Sequence, residues 1–294
     1  MLLKITVIVC LSLLALYLCL RILTKKLLSN HIFFALICRK FYNYYYSIIQ
    51  LEHLRTNNFG YSPVDEEIIK YGPDLQYGIQ LYKELVKNHS GYLINEKNSL
   101  VEIGCGKGAG AEYLIKKFMP QKYTGVDFSE KAIDFCTNYY KQVKNVHFVC
   151  ADAHQLPLVE NSADVVLNVE SSHLYKNQEK FFNEVYRILK PSGKFLFTDY
   201  RCVKNCPIDD LEKYITGSGF SITEKRIITP QIQNACMLAS ERRQKLVEAR
   251  PWYLRKYFRH YAILNGSKKS RMLANGEIIY FIYHLEKNNG TCKP

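Results

Sequence analysis

Between Leu100 and Tyr200 the chain repeats one unit, a short apolar run followed by a stretch with apolar residues at helical spacing. The runs are Ser99–Ile103, Tyr123–Asp127, Val146–Cys150, Ala163–Val169 and Lys194–Tyr200. The stretches between them include Ala111–Phe118, Glu130–Gln142 and Glu179–Leu189. Short apolar runs alternating with helical patterns predict βαβ units joined into a parallel sheet. Pro191-Ser-Gly193 is placed to stop the helix before the fifth strand. Two later runs, Gly219–Thr229 and Glu277–Lys287, also read as strands, and about 45 residues separate them. A connection that long predicts structure of its own.

The N-terminal pattern is different. Leu2–Leu20 is apolar except for Lys4, and at about 1.5 Å per residue this run is roughly 28 Å long, close to the hydrocarbon thickness of a bilayer. The run exceeds a signal-peptide core and no small-x-small cleavage site follows, so a retained transmembrane anchor over 1–23 is expected. Arg21, Lys25, Lys26, Arg39 and Lys40 follow it, which by the positive-inside rule places the rest of the chain in the cytosol. A single-pass protein of the endoplasmic reticulum membrane is the expectation. A basic and aromatic juxtamembrane segment, 24–56, comes next. Within it Ile32–Cys38 and Phe41–Tyr46 are too short to span and read as an interfacial helix or one packed on the soluble part.

Charge sharpens this division. The 294 residues carry 40 Lys+Arg against 27 Asp+Glu, a net charge of +13. Residues 1–50 hold six basic and no acidic side chains, residues 51–200 hold 17 and 19, and residues 201–294 hold 17 and 8. Basic flanks around a near-neutral middle fit an anionic membrane surface, and no nucleic-acid-binding motif accompanies them. Ten cysteines without a CxxC pair exclude a zinc ribbon or a thioredoxin-type motif, and no metal site is expected.

The first strand runs into Val101-Glu-Ile-Gly-Cys-Gly-Lys-Gly108. A glycine-rich turn between strand and helix lets backbone approach a ligand closely, with the helix N–H groups facing it. Asp127 ends the second run 25 residues after Glu102, where a carboxylate can accept both hydroxyls of a ribose. Asp152 follows after 25 more, placed to accept from an adenine amine. The three acidic residues are expected along one edge of the sheet, where ligands of open α/β folds bind.

Glu102-x-Gly-x-Gly-x-Gly108, Gly125-Val-Asp127-x-Ser129, Ala151-Asp152-Ala153 with Leu156-Pro157, and Arg187-x-Leu-Lys-Pro-x-Gly193 together resemble class I S-adenosylmethionine-dependent methyltransferases. The resemblance covers about residues 57–230. It implies a Rossmann-like α/β fold: a seven-stranded mixed sheet with helices on both faces, whose last two strands are antiparallel neighbours. It also implies S-adenosylmethionine as cofactor. Glu102, Gly104, Cys105, Gly106 and Gly108 would form the cradle for its methionine part, Cys105 merely as a small side chain that fits. Asp127 would hold the ribose, Asp152 with Ala153 would meet the adenine, and Phe128 would also touch the cofactor. Asn168 would also line the cofactor site.

Leu167-Asn-Val-Glu-Ser-Ser-His-Leu-Tyr175, Asp199-Tyr-Arg201 and Asn58-Phe-Gly-Tyr61 are similar to segments of the O-methyltransferases of polyketides and phthiocerol-like lipids. The implied acceptor is a hydrophobic small molecule or lipid, with sterol- or quinone-type C-methylation and non-catalytic lipid or cofactor binding as alternatives. A hydroxyl is a poor nucleophile until its proton is removed, and a neutral imidazole suits that task, so His173 is the expected base. Glu170 is the second catalytic candidate, expected to orient the imidazole or to face the amino end of the cofactor. Ser171 and Ser172 read as turn formers.

The connection 231–272 carries Glu241-Arg-Arg-Gln-Lys245, Arg250-Pro-Trp-Tyr-Leu-Arg-Lys-Tyr-Phe-Arg259 and Lys268-Lys-Ser-Arg271. Aromatic residues among basic ones suit a lid over an apolar substrate, a membrane-facing surface, or a solvated helix with buried aromatics. Residues 273–294 supply the last strand and a tail.

Overall fold

The computed structural model describes residues 31–48, 55–63, 68–73, 75–204 and 207–288. The chain divides into two units, residues 1–48 and 49–294. In the first, both expected juxtamembrane patches belong to one helix, α1 (His31–Ile48), on which Phe41 and Tyr45 stack with ring centroids 6.4 Å apart. The expected anchor, 1–23, lies outside the described residues, and among those described no helix is long and apolar enough to cross a membrane.

The second unit opens with α2 (Gln76–Leu85) and a short hairpin of β1 (Lys87–Asn88) and β2 (Gly91–Tyr92). The repeated unit follows: β3 (Ser99–Ile103), α3 (Ala109–Phe118), β4 (Lys122–Asp127), α4 (Glu130–Tyr139), β5 (Val146–Cys150), β6 (Ala163–Val169), α5 (Gln178–Ile188) and β7 (Leu189–Cys202). Then come α6 (Ile208–Gly217), β8 (Phe220–Ile227), α7 (Thr229–Glu248), α8 (Trp252–Tyr261), α9 (Lys268–Ala274) and β9 (Ile278–Lys287). The long connection is thus three helices.

Seven strands form one sheet in the order β5-β4-β3-β6-β7-β9-β8. From β5 to β7 neighbours pair in parallel, and β9 is antiparallel to both β7 and β8. The two-residue period of a strand sorts the core onto both faces. Leu100, Val165 and Leu167 pack with α2 and α3 on one side, while Val101, Ile103 and Val166 pack with α5 and α6 on the other. Phe181, Phe182, Val185 and Ile188 give α5 its buried stripe, and the Asn177 side chain accepts from the Lys180 amide to cap it.

Pro191-Ser-Gly193 does not separate helix from strand. The helix ends at Ile188 and β7 runs through all three residues, with an irregular register between Ala163 and Val165 on β6 opposite them. A strand tolerates proline at such an irregular, exposed start, because no ladder hydrogen bond is lost there. The Leu156–Leu158 segment and α5 are joined by Arg187, which donates to the carbonyls of Leu156 (2.9 Å) and Leu158 (2.8 Å) and to Glu184.

The strand order reverses between β3 and β6. The crevice beyond their C-terminal ends is where an open α/β sheet binds its ligand.

Candidate active site

The glycine loop leaves β3 directly into that crevice. Gly104 has φ of 77°, and a Cβ there would sit 2.3 Å from Ser171 Oγ, so both the backbone conformation and the space require glycine. Gly108, at φ 70°, is the N-cap of α3, and its carbonyl accepts from Tyr140 Oη at 2.5 Å. Cys105 is buried in the loop, and desolvation pushes its thiol up, which suits a space-filling role.

Asp127, at the end of β4, accepts from the amides of Gly106 (2.9 Å) and Ser129 (2.8 Å). Burial raises its carboxyl while these backbone donors oppose the rise. The Phe128 amide adds a third backbone bond, so of about four lone-pair directions roughly one remains for a ligand hydroxyl. Phe128 follows it half-buried. Asp152, just past β5, accepts from both the His154 amide (2.9 Å) and His154 Nδ1 (2.6 Å), and the side-chain bond holds its carboxyl down. Ala153 is buried beside it. His154 therefore fixes the Asp152 carboxylate.

Glu102 stands one residue before the end of β3, close enough to Asp127 for the two carboxyl groups to interact. It is fully buried, and the Tyr82 and Tyr123 hydroxyls each donate to one of its oxygens, Tyr82 at 2.6 Å. Burial, outweighing the tyrosine bonds, raises its carboxyl to about 7.

Asn168, near the end of β6, is fully buried. Its Nδ2 donates to the Ile103 carbonyl (2.9 Å) and to Ser171 Oγ (2.7 Å). A carbonyl only accepts, so the amide nitrogen must face Ile103, and this leaves Oδ1 buried with no partner among the described residues. A buried acceptor of this kind beside a glycine loop fits a cofactor carrying an ammonium group. The remaining lone pair of Asp127 fits a ribose hydroxyl. The residues therefore suit S-adenosylmethionine.

The acceptor side is built where β6 and β7 meet. Asp199, on β7, is fully buried, and its Oδ1 lies 2.9 Å from His173 Nδ1. Its Oδ2 accepts from Ser172 Oγ (2.6 Å) and the His173 amide (2.9 Å), and Arg201 lies 3.3 Å away. Burial alone would raise the Asp199 carboxyl, but the charges of His173 and Arg201 and these bonds hold it well below the usual range. An ionised Asp199 can only accept, so His173 Nδ1 donates to it and Nε2 is the ring nitrogen that this pairing leaves over. Asp199 is the site residue that spacing alone had not assigned. Ser171 and Ser172 do more than turn the chain, since their hydroxyls tie Asn168 and Asp199 into the site.

Glu170 does not orient the imidazole. Its Oε2 accepts from the Phe59 amide (2.7 Å) and Tyr280 Oη (2.6 Å), and its own backbone sits at φ 48°, a strained value held by its amide bond to the Thr198 carbonyl. Burial raises its carboxyl to about 8, against the pull of the Tyr280 and Phe59 bonds. The Asn58–Tyr61 segment is thereby drawn against Tyr200. The Phe59 and Tyr200 rings stack with centroids 4.9 Å apart, and Tyr200 lies 4.4 Å from the His173 ring. The Lys269 ammonium, from α9, lies 5.4 Å from the Phe59 centroid and 5.5 Å from that of Tyr200. Arg243 of α7 donates to the Phe59 carbonyl at 2.8 Å. The inserted helices thus pack through Arg243 and Lys269 against Phe59 and Tyr200, beside the His173 ring.

Comparison with known proteins agrees with this geometry. Residues 101–197 match the family described as methyltransferase domain. The chain is 36% identical over 157 residues to a fatty-acid O-methyltransferase of Mycolicibacterium smegmatis, covering 53% of this chain and 55% of that protein, little more than half its length. It is 33% identical over 190 residues to the phthiotriol/phenolphthiotriol dimycocerosates methyltransferase of Mycobacterium tuberculosis, covering 64% and 69% respectively. In fold it is similar to a geranyl diphosphate C-methyltransferase of Streptomyces coelicolor, with a TM-score of 0.63, 13% identity, and 86% of this chain and 98% of that one covered. A cyclopropane synthase of Mycobacterium tuberculosis gives a TM-score of 0.62 at 14% identity, covering 78% and 89%. With the motifs, the sheet order and the glycine-loop crevice in agreement, the chain belongs to the S-adenosylmethionine-dependent methyltransferases.

Proposed function

We propose that the chain transfers a methyl group from S-adenosylmethionine to a hydroxyl of a hydrophobic, lipid-like acceptor. The observation that carries this reading is the His173–Asp199 pair at the strand ends beside the glycine loop. When bound, the cofactor supplies an electrophilic methyl group on a sulfonium. The chain supplies the rest. The loop amides, Asn168 Oδ1 and the Asp127 carboxylate hold and orient the donor side. His173 Nε2 takes the acceptor proton, and buried Asp199 stabilises the imidazolium that results. Phe59, Tyr200 and Tyr280 give the acceptor side an apolar wall that excludes water. The names of the relatives, a fatty-acid and a phthiotriol-lipid methyltransferase, support an acceptor of this class. Residues 1–23 would anchor the enzyme in the endoplasmic reticulum membrane with the site in the cytosol, in reach of such acceptors.

Lys269 favours a second reading. Its ammonium, over Phe59 and Tyr200, already attracts the Glu170 carboxyl, and an acceptor carboxylate, which needs no base, would share that charge. Purified chain given methyl-labelled cofactor with either fatty acids or lipid alcohols separates the two. A hydroxyl acceptor requires His173, whereas a carboxylate acceptor requires Lys269 and survives His173→Gln. Labelling of neither acceptor class would remove both readings.

A further inference from the structure

The helices inserted between β8 and β9 form a hairpin whose tip is chemically unlike the rest of the surface. Ser240 Oγ accepts from the Asn265 amide at 2.8 Å, and Arg243 donates to the Ala262 carbonyl at 3.3 Å. These bonds lay the end of α8 back beside the middle of α7, so residues 249–253 form the turn at the far end. At that turn Trp252 is 80% exposed and Tyr253 64% exposed, their rings edge to face at 5.9 Å. Leaving two large aromatic rings in water forgoes the stabilisation that burial gives them. Their neighbours Arg250, Arg255 and Lys256 are all basic, and residues 241–259 hold seven basic side chains against two acidic ones. Of those two, Glu241 is paired with Lys245 at 2.8 Å.

Tryptophan and tyrosine flanked by arginine and lysine match the headgroup zone of a bilayer, where the rings sit among the glycerol groups and the cations meet lipid phosphates. A projecting tip can enter that zone. A second copy of this chain is a poor occupant, since a two-fold contact would set one basic tip against another.

We infer that the Arg250–Lys256 tip docks the enzyme on anionic bilayers by inserting Trp252 and Tyr253 between lipid headgroups. This contact is separate from any N-terminal anchor. It rests on the lipid-acceptor reading only for its purpose: the same helices carry Arg243 and Lys269, which pack beside the proposed acceptor site, so docking the tip brings that site to the surface where such an acceptor lies.

Trp252 is the chain's only tryptophan, so its emission reports the tip directly. The full chain is mixed with vesicles of phosphatidylcholine alone or with phosphatidylserine added. Cofactor binding is measured alongside. With the anionic vesicles the emission should move to shorter wavelength and be quenched by lipids brominated near the headgroup. Each basic side chain close to an anionic surface is worth roughly a factor of five, so Arg255→Glu with Lys256→Glu should weaken tip insertion by more than about 25-fold. Cofactor affinity should not change, because neither residue is near the glycine loop in the fold. Emission that stays at its water position and open to aqueous iodide in both vesicle types would overturn the inference. So would a shift of equal size in neutral vesicles, one that survives the charge reversal, or one that appears without lipid as protein concentration or added RNA rises. Each of these outcomes leaves the methyltransferase reading to be judged by cofactor binding and turnover.

Discussion

His173 Nδ1 and Asp199 Oδ1 lie 2.9 Å apart, the histidine just beyond the end of β6 and the aspartate on the parallel neighbour β7. The aspartate fixes which ring nitrogen carries the proton and which is free. A general base contributes roughly 10²–10⁴-fold to rate. His173→Gln should therefore lower single-turnover methyl transfer by about that factor. Cofactor affinity and melting temperature should stay nearly constant, since the glutamine amide can donate to Asp199 in place of the ring. Full activity in this variant would move the chemistry to a carboxylate acceptor or to C-methylation, in which an alkene attacks directly.

Asp199→Asn should behave differently. It leaves Arg201, itself buried, without its counter-charge, and breaking a buried pair costs about 3–5 kcal/mol. Turnover should fall as in His173→Gln, and thermal unfolding should come at a clearly lower temperature. In the double variant the rate losses should not add, because both remove one catalytic unit. Additive losses would separate the two residues.

On the donor side, Asp127 is pre-oriented by backbone amides and keeps acceptor capacity for a hydroxyl group. Asp127→Ala should weaken S-adenosylmethionine binding by about 1–3 kcal/mol. Titration calorimetry on the folded variant measures this directly, and unchanged affinity would exclude the ribose assignment.

The buried carboxyl of Glu102 gives stability a pH dependence. Its native value, about 7, lies above the ordinary glutamate value, so the folded state holds the proton more tightly than the unfolded state. The stabilisation is complete below the unfolded value and is lost as pH rises through the folded one. Without cofactor, melting temperature should fall between about pH 4 and pH 7, by at most about 3 kcal/mol in stability. Glu102→Gln, which keeps donors and acceptors for both tyrosines, should make that slope shallower, the remainder coming from Glu170, whose buried carboxyl is raised in the same direction. An unaltered slope would place the titration elsewhere.

If the catalytic unit faces the cytosol, the sequons at Asn88-His-Ser90 and Asn265-Gly-Ser267, both among the described residues, should stay unmodified. The same holds for Asn289-Gly-Thr291, outside them. A mass shift sensitive to endoglycosidase would reverse the proposed orientation.

The alternation of apolar runs and helical stretches was enough to place β3, β5 and β6 at their observed bounds: β3 and β6 are buried parallel strands that must be apolar on both faces, and the edge strand β5 is marked by its short β-branched and aromatic run. The glycine loop and Asp127 were legible for a related reason: each sits at the end of a strand, where position along the chain sets position in the fold. What lies across strands was not. Asp199 is 26 residues from His173, and Phe59 is 111 residues from Glu170. Each pairing is set by the register of neighbouring strands and by the packing of inserted helices, not by any local period. The same physics turned Pro191-Ser-Gly193 into the start of β7, buried Glu102 between two tyrosines, and brought Lys269 from a helix late in the chain over Phe59. Local spacing determined the sheet and the cofactor loop, while tertiary packing decided which side chains surround the acceptor.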